Sequence, residues 1–222
     1  VLDAARSLPH RPYGGDADAP RVEVVSDPRL GASMDLPATD EEVWAVLSAT
    51  ATALADRVDV YAIACNTLNV YATRLAALDL PAALITPQEA VSSWCHANVV
   101  STVGLLGARP VGSLGEWSPY RDLQHDLDIE VASDPEAVHE LILDIKRDGG
   151  AAPSHRSRLA ALAADFRATH LMLACTELPL VGQRRGLGSP QWPFRRHSAS
   201  KPSTALRIRA LTIRTPLPPP RY

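Results

Sequence analysis

Two cysteines of this chain stand in matching settings 110 residues apart. Val60-Tyr61-Ala62-Ile63-Ala64 is a short apolar run that ends in Cys65-Asn66-Thr67, and Leu171-Met172-Leu173-Ala174 ends in Cys175-Thr176-Glu177. Apolar runs of this length, bounded by small polar residues, read as buried strands. Each thiol therefore leaves a strand with hydrogen-bonding groups beside it. A thiolate is both base and nucleophile, and a strand end near a helix N-terminus offers N–H groups and a positive dipole that draw a thiol pKa from about 8.5 toward neutrality. The same N–H groups can hold a carboxylate. Two such thiols facing each other across a cleft have the chemistry to remove the α-proton of an amino acid from one face and return a proton to the other, inverting the centre without a cofactor.

The elements that must position these thiols alternate. A helical pattern from Glu41 to Asp56 leads into the Cys65 strand, and one from Ser157 to Phe166 leads into the Cys175 strand. Thr39 with Glu42 three residues on predicts a capping box for the first of these helices. Between the cysteines the pattern predicts helix 68–78, strand 82–86, helix 88–98, strand 102–107 entering a glycine turn, helix 120–127, strand 129–131 and a helix opening at Ser133-Asp134-Pro135-Glu136. Upstream, Arg21-Val22-Glu23-Val24-Val25 has the β-branched content of a strand. Strands alternating with helices predict parallel sheets with crossover helices, and sites outside the carboxyl ends of the strands. The fold class expected is α/β, as two pseudo-symmetric parallel-sheet lobes with the site between them. Residues 1–98 form the first lobe and 99–182 the second. The strand and glycine turn at Val103–Gly107 have no counterpart in the first half, so a matching element is expected upstream of Val1, leaving the first lobe short of its N-terminal strand.

Residues 183–222 are of another kind. They hold eight Arg and one Lys and no acid, a charge of +9, whereas the whole chain carries −3; residues 1–182 therefore carry −12. A basic Pro/Arg-rich tail of this sort is expected to be disordered, and it lacks the aromatic interleaving of a nucleic-acid platform, so nucleic acid is not the expected partner. No apolar run approaches the ~20 residues that span a bilayer, and no secretory leader pattern opens the chain. A cytoplasmic location with no membrane partner is expected, and three scattered cysteines predict reduced thiols rather than a disulfide framework. Cys95, mid-helix in Trp94-Cys95-His96, is expected to be structural. His96 has no companion at ligand spacing, so no metal is expected. Arg109, in the glycine turn, either meets a substrate carboxylate or is a solvated loop charge.

Cys65-Asn66-Thr67 and Cys175-Thr176-Glu177 resemble the two cysteine motifs of the aspartate/glutamate racemases that work without pyridoxal phosphate, and Val103-Gly104-Leu105-Leu106-Gly107 resembles that family's second-lobe strand. Glu177 at the third place resembles the aspartate-racemase branch. The likeness covers roughly residues 20–182. It implies that Cys65 and Cys175 are the acid/base pair, that Asn66, Thr67 and Thr176 hydrogen-bond the substrate, and that no cofactor is used. Glu177 would orient the substrate amine or the neighbouring backbone, or cap a following helix. A small amino acid, aspartate or glutamate, is the implied substrate, and a homodimer the implied assembly. Relatives on this scaffold that act on hydantoins or isomerise maleate also use paired cysteines. The alternative expectation is an inactive remnant or a binding module of the same fold.

Overall fold

The computed structural model describes residues 18–150 and 152–181, together with Gly14 and the backbone of Phe194–Arg195. The first long element is helix α1 (Leu36–Ala55), which buries Leu36, Val43, Val46, Leu47, Ala51 and Ala55 along one stripe. It begins earlier than the Thr39 capping box predicts, with Pro at its first turn. Thr39 lies inside the helix instead, its hydroxyl donating to the Asp35 carbonyl at 2.9 Å and the Ala32 carbonyl at 3.0 Å. Before α1, the segment Pro28–Asp35 winds as a 3-10 helix capped by the Asp27 carboxylate. Strand β1 (Val60–Ala62) pairs in parallel with β2 (Ala83–Ile85). Between them Thr67–Tyr71 is a 3-10 turn running into helix α2 (Ala72–Ala76), so the helix expected over 68–78 is split in two.

Helix α3 (Pro87–Ala97) carries the reciprocal capping box missed in the sequence. Glu89 N–H donates to Thr86 Oγ1, and Thr86 N–H donates to Glu89 Oε2, each at 3.2 Å. Strand β3 (Thr102–Gly107) coincides with its predicted span. After it come the one-turn helix α4 (Arg109–Gly112) and a 3-10 turn at Arg121–His125, where a longer helix over 120–127 was expected. Strand β4 (Asp128–Val131) leads to α5 (Pro135–Asp148), capped by the Asp134 carboxylate, and to α6 (Pro153–Ala164). Strand β5 (His170–Ala174) ends at Cys175. The second sheet has the order β4-β3-β5-β6, with β4, β3 and β5 parallel. Its last member β6 (Phe194–Arg195) runs antiparallel to β5, so this sheet is mixed rather than wholly parallel. The rest of the basic segment 183–222 lies outside the described residues, as does the region upstream of Gly14.

One expected strand is absent. Arg21–Val25 is not a strand, and Val24 is 85% exposed. Its β-branched residues favour a pleated surface only where a neighbouring strand supplies one, and no described strand pairs with it.

Apolar packing divides the molecule into two lobes. In the first, α1 and the Thr67–Tyr71 turn bury Leu36, Val43, Leu47, Tyr61, Leu68 and Leu75 around β1. The second has a core on each sheet face: α5 and α6 cover Leu106, Leu171 and Leu173 on one side, while Cys95, Val111, Tyr120 and Leu123 cover Leu105, Met172 and Ala174 on the other. The alternation along β5 is what assigns each side chain its face. Side chains reach across between them: Met34 packs on the α5/α6 core and Trp117 on the first lobe's core. Among the described residues no helix is long and apolar enough to cross a membrane.

Candidate functional site

Cys175 follows the last residue of β5, and the register pairs Gly107 with Ala174, so the thiol emerges level with Ala108 at the carboxyl end of the sheet. The close approach of α4 to this end needs a glycine at 107. A Cβ there would stand 2.9 Å from Val111 Cγ1 and 3.3 Å from the Ala174 carbonyl oxygen. Continuing the β5 alternation, Cys175 shares a core with Leu171 and Leu173 and is buried.

Its sulfur donates to Glu177 Oε2 at 2.8 Å, and Thr176 Oγ1 donates to the same oxygen at 3.0 Å. From α5, Lys146 Nζ approaches Glu177 Oε1 at 3.8 Å. Burial pushes the Cys175 thiol well above its ordinary range, and the Glu177 carboxylate pushes it further the same way. The expectation that the strand end would draw this thiol toward neutrality is thus overturned. The turn that follows, Leu178–Leu180, is a single short 3-10 helix, too little dipole to offset burial beside a carboxylate. Burial also acts to raise Glu177, but the Cys175 and Thr176 donors and the Lys146 charge outweigh it and hold that carboxyl below its usual value. Glu177 precedes the turn without capping it by a side-chain bond; its oxygens serve Cys175 and Thr176 instead.

On the first lobe, Cys65 lies beyond the end of β1 and is half-buried. Its loop is held by Asn69, which is fully buried and donates Nδ2 to the Cys65 carbonyl at 2.7 Å and the Ile63 carbonyl at 3.1 Å. Gln88, on α3, donates in turn to the Asn69 carbonyl at 3.1 Å. Asn69 was missed in the sequence, although an amide four residues after a loop cysteine is placed to reach back to it. Thr67 is buried at the start of its 3-10 turn, whereas Thr176 is exposed.

The Cys65 motif is tied to the second lobe through a residue that sequence reasoning did not single out. Tyr120, buried in the second lobe, donates its hydroxyl to Asn66 Oδ1 in the first. Burial raises the Tyr120 phenol far above its ordinary range, and charge on Cys175 and on Cys65 acts in the same direction. No local pattern marks this tyrosine; only the fold brings it to Asn66, next to Cys65.

The remaining candidates resolve elsewhere. Arg109 grips Glu136, with Nε to Oε2 at 3.0 Å and Nη2 to Oε1 at 2.6 Å, and its backbone N–H donates to His139 Nδ1 at 3.2 Å. Burial, then the Arg109 charge, lower the His139 pKa, so the ring remains a neutral acceptor at pH 7. The guanidinium thus has a carboxylate of its own and is not left for a substrate. Cys95 is buried in the sheet core with its thiol pushed up by burial, while His96 is exposed. Among the described residues no three His, Cys, Asp or Glu side chains converge as a metal site would.

Chemically, the arrangement supplies one thiol held protonated beside a carboxylate with a hydroxyl next to it, and a second thiol on the other lobe with side-chain amides next to it. The family model described as Asp/Glu/Hydantoin racemase matches residues 12–188. A comparison with curated proteins found no match. A solved structure from Yersinia pestis, assigned as an Asp/Glu racemase, superposes with a TM-score of 0.62 at 21% identity, covering 81% of this chain and 78% of that one. At that identity the likeness is one of fold.

Proposed function

Because the chain belongs to the Asp/Glu/Hydantoin racemase family, we propose that it racemises an amino acid, aspartate or glutamate, by two-base proton transfer between Cys65 and Cys175 without a cofactor. The observation that carries this reading is the Cys175 thiol donating to Glu177 on one lobe while Tyr120 of that lobe holds Asn66, the residue next to Cys65 on the other.

In one direction Cys65, as thiolate, takes the Cα proton. The electron pair left on Cα is delocalised into the α-carboxylate, whose growing charge Asn66 and Thr67 stabilise by hydrogen bonds, while Thr176 donates to Glu177 and orients that carboxylate. Cys175 then gives its proton to the opposite face. Cys65 ends as thiol and Cys175 as thiolate, which is the starting state for the other enantiomer. Glu177 keeps Cys175 protonated until the carbanion forms. Lys146, 3.8 Å from Glu177 Oε1, balances the charge of that carboxylate beside the thiol.

The test is deuterium incorporation at Cα in D₂O, followed by proton NMR with L-aspartate and L-glutamate. Exchange is expected, and Cys65→Ser and Cys175→Ser are each expected to reduce it by about 10²- to 10⁴-fold, the ordinary scale of a positioned acid or base. A folded chain that exchanges neither substrate, or one whose exchange survives both substitutions, overturns the proposal and favours the inactive or binding-module alternative.

A further inference from the structure

Tyr120 joins two frames that are separately held. Its ring is 1% exposed and packs in one sheet-face core with Leu105, Val111, Met172 and Ala174. The turn that carries it is tied down as well: Ser118 Oγ donates to the Val111 carbonyl at 2.7 Å, and Tyr120 N–H donates to Ser118 Oγ at 3.4 Å. On the other lobe, the loop bearing Cys65 and Asn66 is held by Asn69, itself anchored by Gln88. The hydrogen bond from Tyr120 to Asn66 Oδ1 links these frames at the residue next to Cys65.

That bond also sets which end of an amide faces outward. An asparagine whose Oδ1 is taken by a hydroxyl presents Nδ2 as its remaining group, a donor only. Among the described residues no protein group accepts from Asn66 Nδ2, whereas the nearby Asn69 spends its own Nδ2 on two backbone carbonyls. A substrate carboxylate is the chemical partner such a donor suits. Because burial disfavours ionisation of the phenol, Tyr120 remains a donor throughout the neutral range.

We infer that Tyr120 is a positioning residue: its hydroxyl latches the Cys65 loop to the second lobe and fixes the Asn66 amide with Nδ2 presented to the substrate carboxylate. The substrate half of this inference rests on the racemase reading; the latch does not.

The experiment is a double-mutant cycle of Tyr120→Phe with Asn66→Ala, with melting temperatures to verify folding. Its first readout needs no activity: the rate of Cys65 alkylation by iodoacetamide, mapped by mass spectrometry, with buried Cys95 as internal control. Tyr120→Phe is expected to speed Cys65 labelling about fivefold, the size of one neutral hydrogen bond, and to do nothing further in the Asn66→Ala background. Asn66→Asp retains an acceptor, so in that background Tyr120→Phe is again expected to speed labelling. The second readout is steady-state racemisation. Tyr120→Phe is expected to lower kcat/KM about fivefold, the loss of part of the carboxylate stabilisation that Asn66 gives, and to add nothing to Asn66→Ala. Unchanged Cys65 labelling in Tyr120→Phe, or equal effects in the presence and absence of the Asn66 amide, overturns the latch. If the wild-type chain racemises nothing, the racemase reading fails, and the labelling cycle still decides the latch by itself.

Discussion

Glu177→Gln isolates the carboxylate that accepts from a candidate acid/base thiol. The Cys175 sulfur donates to Glu177 Oε2 at 2.8 Å, and the carboxylate pushes the thiol up both as acceptor and as charge, second to burial. Glutamine keeps the shape and an acceptor but removes the charge. A hydrogen bond to a charged group contributes about 1.5–3 kcal/mol, and each 1.4 kcal/mol is a factor of ten in the thiol/thiolate ratio. Removing it therefore raises the thiolate fraction of Cys175 at fixed pH by about tenfold to a hundredfold, although burial still keeps the thiol above its ordinary value. The assay is iodoacetamide labelling of Cys175 at pH 8 in both proteins, read peptide by peptide, with Cys95 as the control that should not change. Faster Cys175 labelling by at least about tenfold, with the labelling midpoint moved to lower pH, supports the reasoning. Equal or slower labelling in Glu177→Gln refutes it, because the carboxylate would then not be what holds the proton on sulfur.

Stability is expected to fall on the alkaline side. Cys95, Cys175, Tyr71 and Tyr120 all hold their protons more tightly folded than their ordinary values, with burial the largest cause in each. The native state thus binds protons that the unfolded chain has lost. The contribution of these groups is fully present below the unfolded values of about 8.5 for Cys and 10 for Tyr, and is lost as pH rises beyond them. Urea unfolding at pH 7 and pH 10 should show the decline; equal midpoints would refute it. Gly104→Ala is expected to destabilise by about 1–3 kcal/mol, since the added methyl would run into the side chains of Leu171 and Phe166; a shift in the urea midpoint reads it. Arg109→Ala should leave KM for a dicarboxylic substrate within twofold, because its guanidinium already holds Glu136. A large rise in KM would return Arg109 to the substrate site.

Some of this was legible in the linear chain, for reasons that lie in the residues themselves. The strand at Thr102–Gly107, the capped helix opening at Asp134-Pro135 and the strand that delivers Cys175 depend on local alternation, a short acidic cap and proline chemistry, all of which act within a few residues. That Cys65 and Cys175 each follow a strand was legible too, because a strand exit writes the same local pattern twice. Other local patterns had two outcomes that only packing separated. Thr39 had the spacing of a cap but lies within a helix, and Arg21–Val25 had the composition of a strand without a partner to pair with.

What the tertiary structure alone decided is the environment of each group. Whether Cys175 is acidic or held protonated depends on how deeply β5 buries it and on where the next carboxylate turns. Arg109 had equal chemical claim to a substrate or a solvated position until α5 brought Glu136 to it. The contact of Tyr120 with Asn66 joins residues 54 positions apart. Residue type and spacing thus determined which thiols, hydroxyls and amides the chain offers at its strand exits. Which are buried, charged or already partnered follows from burial and from long-range contacts, and those exist only once the sheets have formed and the lobes have closed on each other.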